Sequence, residues 1–184
     1  MAILKVAHMG HPVLRAKAKP LTPAEIKSAR VQALIDDMFE TMQEYTGIGL
    51  AGPQVHEGVR VFVAGVRSAD VVTPMTGDED MPFITIINPE IEPIDGAATV
   101  EGWEGCLSIP DIRGKVPRPE AVRVRALDRQ GRRFELVASG LPARVIQHET
   151  DHLDGVMFFD RMTSLESLTF MEEFRRYWAK DDEE

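Results

Sequence analysis

Two histidines and a glutamate form the clearest chemical pattern in the chain, His148-Glu149-Thr150-Asp151-His152. On a helix, residues four apart project from the same face, so both imidazoles can bind one metal ion. Glu149 can hold a water at the open coordination position and take its proton. The pattern predicts a metal-dependent hydrolase. The alternative is that two helical histidines make ordinary hydrogen bonds.

A catalytic metal site of this kind needs a third protein ligand. One large group of zinc peptidases has a third histidine at the position of Phe158, which cannot coordinate a metal. Cys106, the one cysteine of the chain, is the better candidate, because a thiolate is a strong ligand and Gly105 lets the backbone come close. A free cysteine can also be a small buried side chain. Three later glutamates are a further alternative, with a solvated helix face as their simpler explanation: Glu166, Glu172 and Glu173.

A glycine-rich segment, Gly47-Ile48-Gly49-Leu50-Ala51-Gly52-Pro53-Gln54, is the third candidate for chemistry. Its spacing does not fit a P-loop, and no Lys-Ser or Lys-Thr follows it. An open backbone here can pair with an extended peptide, and the Gln54 amide can donate to a developing oxyanion. A tight connection without chemistry is the alternative.

The elements in the first half of the chain begin with a helix at Thr22-Pro23-Ala24-Glu25, which has the pattern of a capping box. One helix is expected from there to the stop signal Gly47. Its apolar stripe consists of Val31, Leu34, Ile35, Met38, Met42 and Tyr45. Strands are expected over 60–66 and 83–91, and a mobile loop over 68–82.

The second half of the chain predicts a hairpin of residues 121–126 and 133–137 with one buried face. Helical periodicity returns over 143–154 and includes both histidines. A last helix is expected to begin at Thr163-Ser164-Leu165-Glu166 and to pack through Leu168, Met171 and Phe174. Helices and strands without regular alternation predict an α+β fold.

Composition limits the class of protein. With 184 residues, 43% of them hydrophobic, the chain suits one compact domain over residues 1–184. The net charge of -9 disfavours binding to DNA or RNA through phosphate charge. No apolar run approaches the roughly 20 residues of a membrane span, and no secretory signal is visible, so a cytoplasmic protein is expected.

Three segments in this order resemble the signature motifs of the peptide deformylases: Gly-Ile-Gly-Leu-Ala-Gly-Pro-Gln, Glu-Gly-Cys-Leu-Ser and Gln-His-Glu-Thr-Asp-His-Leu. The resemblance runs from about Val6 to Met162, and the C-terminal segment is similar to that of the bacterial type 1 enzymes. It implies mixed or antiparallel sheets around a central helix that carries the histidines. Gly52 departs from the family pattern, where alanine is common, and glycine adds backbone freedom before Gln54.

By this resemblance, Cys106, His148 and His152 bind the metal, which is typically Fe2+ with Ni2+, Co2+ or Zn2+ as substitutes. Glu149 is the general acid and base, and Gln54 forms the oxyanion hole with the backbone N–H of Leu107. The implied reaction removes the formyl group from the formyl-methionine of newly synthesised polypeptides and releases formate. Expected substrate contacts are Ile48, Gly49, Leu50, Arg113, Leu141 and Arg144.

Two other functions stay open on the sequence alone. A zinc endopeptidase or aminopeptidase would use the same histidine helix with a different third ligand. A catalytically silent relative would bind peptide amino termini at the ribosome. The arginines over 113–133 suggest transient ribosome contact, against the simpler explanation that they form the solvated face of a hairpin.

Overall fold

The computed structural model describes residues 2–66 and 81–179. Two antiparallel sheets enclose a central helix, as the α+β prediction requires. Most of the loop expected over 68–82 lies outside the described residues, and its last two residues, Met81 and Pro82, begin a strand.

The N-terminal helical region consists of two helices, α1 (Pro23–Ile26) and α2 (Ala29–Glu44), so the prediction of one continuous helix was wrong. The capping box at Thr22 and Glu25 is present as predicted. Ser28 then interrupts the helix, because its hydroxyl donates to the Glu25 carbonyl and accepts from the N–H of Val31. The predicted stripe of α2 is buried except for Tyr45, which caps the helix and is exposed.

The larger sheet has five strands in the order β1-β2-β3-β6-β7, and all its pairs are antiparallel. Its strands are β1 (Gly49–Ala51), β2 (Val61–Val66), β3 (Met81–Pro93), β6 (Ala121–Leu127) and β7 (Arg133–Ser139). The predicted hairpin is confirmed, with Val122 and Val124 buried and Arg125 exposed on the opposite face. β1 is the last strand at one edge.

The smaller sheet consists of β4 (Thr99–Cys106), β5 (Ile109–Pro119) and β8 (Thr169–Phe170) in that order. These three strands were not expected from the sequence. Prolines and glycines interrupt the period of two, although eight residue pairs join β4 to β5. The tight turn between β4 and β5 follows Cys106 directly.

The central helix, α3 (Gly140–Leu153), confirms the predicted histidine helix and begins three residues earlier. Every residue from 145 to 153 is buried. Its apolar residues, including Ile146 and Leu153, pack with Phe62, Ile86 and Val124 of the larger sheet. Its polar residues meet the smaller sheet, where the charged side chains of β4 and β5 lie.

The predicted C-terminal helix is present, but it begins at Met171 and not at Thr163. Ser164 accepts a hydrogen bond from the N–H of Glu166 and so caps a local turn. The chain then forms β8, a short helix α4 (Met171–Glu173) and a π-helical turn (Phe174–Trp178). Of the three residues expected to pack on the core, only Phe174 is buried.

Candidate active site

Cys106, at the end of β4, meets His148 and His152 of α3. One potential ligand atom from each residue lies within 4.8 Å of the others, and Cys106 Sγ is 3.2 Å from His152 Nε2. No other group of three potential ligands is found among residues 2–66 and 81–179. The structure therefore brings together the three predicted ligands and none of the alternative glutamates.

The donor atoms of this group, a thiolate sulfur and two imidazole nitrogens, suit a divalent cation. Burial raises the pKa of Cys106, but the charge of His152 and hydrogen bonds with both histidines outweigh it and hold the pKa well below its usual range. Burial lowers the pKa of His148, but hydrogen bonds to Cys106 and Glu104 outweigh this and raise it. A thiolate with two imidazoles is a donor set that zinc and iron sites use, so these residues fit a metal.

Glu104 orients the first histidine, because its Oε2 lies 2.8 Å from His148 Nδ1. This contact leaves Nε2 of His148 for the metal. Glu104 is only 3% exposed, and two arginines bind it, Arg118 through two hydrogen bonds of 2.7 and 2.9 Å and Arg144 at 2.8 Å. Burial raises the pKa of Glu104, but Arg118 and His148 outweigh it and keep the carboxylate ionised.

The same network continues into α3. Arg118 also donates to Asp151 at 2.8 Å, and Arg161 binds the other oxygen of Asp151 at 2.7 Å. Glu104 and Asp151 lie within the sequence motifs, but the motifs predicted no role for them, and no pattern marked Arg118. A charged residue inside a predicted buried strand or helix is the signal that could have identified them.

Glu149 lies beside the ligands and is 4% exposed. Burial raises its pKa to about 7, and its Oε2 has no hydrogen-bond partner within the described part of the chain. β1 passes directly against it, since a Cβ added to Gly49 would lie 2.3 Å from Glu149 Oε1. Glycine at this position therefore leaves the space that the carboxylate occupies.

Gln54 lies on the other side of Cys106 and is 1% exposed. Its Oε1 accepts from the N–H of Ala51 at 2.7 Å, which fixes the orientation of the amide. Its Nε2 lies 3.5 Å from Cys106 Sγ and 3.4 Å from the hydroxyl of Ser108. The amide therefore directs a donor into the site.

Gly52 is tightly enclosed, whereas the sequence suggested that it loosens Gln54. A Cβ at Gly52 would lie 2.8 Å from the Val59 carbonyl oxygen and 2.9 Å from that of Glu57. The N–H of Glu57 also donates to the Gly52 carbonyl. Glycine here permits a close backbone contact.

A cavity of 490 Å³ opens onto the site that contains Cys106, His148, Glu149 and Gln54. The predicted site residues that line it are Ile48, Gly49, Gln54, Cys106, Leu107, Arg113, Leu141, Arg144, His148 and Glu149. Leu50 does not line it, because its side chain is fully buried in the core against α2. Arg144 lines it, but its guanidinium binds Glu104 and three backbone carbonyls. A separate depression of 570 Å³ between α2 and the β6–β7 turn contains none of these groups.

The model of the polypeptide deformylase family matches residues 3–168. The chain belongs to this family. These hydrolases remove the N-formyl group from newly synthesised polypeptides, as the motifs implied. The deformylase of Pseudomonas aeruginosa is 45% identical over 165 residues, which cover 90% of each chain. That of Stutzerimonas stutzeri is 44% identical over the same shares.

Solved deformylases have the same fold. A class I type b enzyme from Acinetobacter baumannii superposes with a TM-score of 0.81 at 39% identity, over 88% of this chain and all of that one. The Thermotoga maritima deformylase gives 0.75 at 37% identity, over 89% of this chain and all of its own. No helix in the described part of this deformylase chain has the length and apolar character of a membrane span.

Proposed function

We propose that this chain removes the formyl group from formyl-methionyl peptides at the site formed by Cys106, His148, His152, Glu149 and Gln54. The observation that carries the proposal is the meeting of three motifs, far apart in the chain, at one cavity. The short contact between Cys106 Sγ and His152 Nε2 joins two of them, and that between Gln54 Nε2 and Cys106 Sγ joins the third.

The metal would be held by the thiolate of Cys106 and the imidazoles of His148 and His152. When bound, a divalent cation supplies a Lewis acid that polarises the formyl carbonyl and lowers the pKa of a water. We infer Fe2+ from the family resemblance, with Ni2+, Co2+ or Zn2+ as substitutes. The donor set accepts all four.

Glu149 would carry the proton. Its Oε2 has no hydrogen-bond partner among the described residues, so it can accept a proton from the attacking water. A buried carboxyl with a pKa near 7 also gives a proton back readily, and the departing amine needs one. Glu149 would therefore serve as base and then as acid in the same turnover.

Negative charge develops on the formyl oxygen during attack. The Nε2 of Gln54 and the backbone N–H of Leu107 would donate to it from the two segments that flank Cys106. The hydrogen bond from Ala51 to Gln54 Oε1 supports this role, because it holds the amide in one orientation before substrate binds.

The peptide would lie along the cavity. Ile48 and Leu141 line it and offer apolar contact to a methionine side chain. The backbone of Gly49 and Leu50 belongs to the edge strand β1, which can accept an extended peptide as a further strand. Strand pairing uses main-chain hydrogen bonds and not the substrate's side chains. It therefore favours broad tolerance of the residues that follow the methionine.

Other inferences rest on the same proposal. We infer that residues 1–184 act as one domain in the cytoplasm, where formylated chains are made. Ribosome contact through residues 113–133 stays a prediction. Five arginines of that stretch already pair with carboxylates: Arg118, Arg123, Arg125, Arg129 and Arg132.

The test is formate release from an amidated formyl-methionyl tripeptide, with metal content measured in parallel. Cys106→Ser should lose more than about 100-fold in activity, because removing a ligand exceeds the 10–100-fold effect of an outer-shell change. Val137→Ser, on an exposed strand position, serves as the control. A Cys106→Ser protein that keeps its metal and releases formate as fast as the wild type would contradict the role of Cys106 as a ligand. Peptide cleavage that survives Cys106→Ser, without formate release by the wild type, would favour the peptidase alternative.

A further inference from the structure

The C-terminal segment forms one wall of the cavity. Met171 and Arg175 line it together with Arg113 of β5. β8 leads the segment to this place, since Thr169 pairs with Arg113 in the smaller sheet. The family match ends at residue 168, so this wall lies beyond the part of the chain that the family model describes.

Phe174 fastens the segment to the smaller sheet. It is 2% exposed, and its ring lies 4.9 Å from that of Trp103 on β4. The guanidinium carbon of Arg113 lies 5.1 Å from the centre of the same ring. Phe174 therefore holds Arg113 next to the backbone that carries Arg175.

Neither arginine has a carboxylate partner within residues 2–66 and 81–179. The Nε–H of Arg113 is buried and donates to no acceptor there. Burial lowers the pKa of Arg113, and the nearby positive charge of Arg175 lowers it further. Arg176, the next residue, differs because it pairs with Glu172 and Glu173.

The acids that line the cavity do not neutralise this pair. Glu104 is bound by Arg118, Arg144 and His148, as described above. Glu149 is buried beside the metal ligands, and Asp111 is exposed and forms no ion pair in the described structure. Two guanidinium groups therefore line the cavity without a counter-charge from residues 2–66 or 81–179.

We propose that Arg113 and Arg175 form a carboxylate-binding subsite, which makes the chain prefer formyl peptides with an acidic residue after the methionine. The inference rests on the proposed deformylase function and names the substrates that the site favours. A carboxylate would relieve the repulsion between the cations and accept hydrogen bonds from both. The carboxylate is either an acidic side chain or the free C-terminus of a short peptide.

The experiment compares formate release from amidated formyl-methionyl tetrapeptides that carry Glu, Gln or Lys at the second, third or fourth position. We expect the wild type to favour Glu over Gln by about fivefold at the best position, as for a partly exposed ion pair. The preference should appear as a lower KM for the Glu peptide than for the Gln peptide, and it should weaken at high salt. A free-acid tripeptide beside its amide tests the terminal carboxylate.

Variants of Arg175 and Arg176 test whether the subsite causes the preference for Glu. Arg175→Glu should favour Lys over Glu, and Arg175→Lys should keep part of the preference for Glu. Arg176→Ala, the adjacent ion-paired arginine, should behave as the wild type. Metal content and thermal unfolding of each variant show that the fold is intact.

The outcomes separate the two proposals. A preference for either carboxylate that Arg175→Glu abolishes supports the subsite, and the peptide pair shows which carboxylate it takes. Equal rates for Glu, Gln and Lys, together with equal rates for the free-acid tripeptide and its amide, would overturn the subsite and leave the deformylase function standing. No formate from any peptide would overturn both.

Discussion

Helix α3 and the C-terminal segment both supply groups to one cavity, but they hold them differently. From residue 145 to 153, α3 is buried throughout, and its charged residue Asp151 pairs with two arginines. Between residues 169 and 179 only Phe174 is buried, and Arg175 forms no ion pair with the described residues. We infer that the reaction depends on the buried, paired region and that substrate preference depends on the exposed, unpaired one.

The difference has a physical basis. A metal ligand must keep its orientation, and the Glu104–His148 hydrogen bond in a buried site provides that. Arginines that bind a substrate carboxylate must not already be paired, because an ion pair within the protein would compete with the substrate.

Glu104→Ala should have the largest effect on the buried region. It leaves Arg118 and His148 without their shared partner, and removing one member of a buried ion pair costs about 3–5 kcal/mol of unfolding free energy. Metal affinity should fall about 10–100-fold because His148 is no longer oriented. Denaturant unfolding of the metal-free protein and competition with a chelator measure the two quantities.

Glu135→Ala is the matched control, because Glu135 binds Arg123 and Arg125 on the exposed face of the hairpin. The two ion pairs are solvated, so the unfolding midpoint should barely move. Equal stability of the two variants would show that burial of the Glu104 network does not matter.

Gly49→Ala should have an intermediate effect. The new methyl group would occupy the space of Glu149 Oε1 and displace the carboxylate. A misplacement of about 1 Å costs on the order of 100-fold in activity. We expect that loss in kcat/KM for a formyl tripeptide, with metal content unchanged.

Gly58→Ala tests whether the loss is specific, since a Cβ at Gly58 would meet nothing within 4 Å. It should retain the activity of the wild type. If Gly49→Ala is as active as Gly58→Ala, the close contact with Glu149 has no role in the reaction.

Phe174→Ala should have the smallest effect and act on the other region. Without its ring, Arg113 and the segment with Arg175 lose their common contact. The preference for Glu over Gln should fall from about fivefold toward none, while the metal stays bound. The ratio of kcat/KM for the two peptides measures the change.

Tyr177→Ala removes an exposed aromatic side chain from the same segment and should keep the preference. A Phe174→Ala protein with the preference of the wild type would mean that Phe174 does not position the arginines.

The sequence predicted what depends on local spacing. The histidines four apart on α3 and the capping box at Thr22 need only neighbouring residues to be recognised. The motif resemblance located Cys106, whose place beside α3 depends on the whole fold. The interruption at Ser28 was missed, because its capping role competes with a continuous apolar stripe.

Contacts between distant segments could not be predicted in this way. Arg118 binds Glu104 across the β4–β5 hairpin, and no local pattern marks that pair. At Thr163 the capping pattern was present, but the chain gains strand pairing with β5 and burial of Phe174 instead of a helix there. Tertiary contacts outweighed local preference at that end of the chain.

The most direct test of the account is formate release by wild type and Glu149→Ala, each loaded anaerobically with Fe2+ to the same metal content. Removing the proton carrier should lower kcat by about 100- to 10,000-fold while the metal stays bound. Formate release by Glu149→Ala at the rate of the wild type would contradict the assignment of Glu149. No formate release by the folded, metal-loaded wild type would contradict the deformylase function itself.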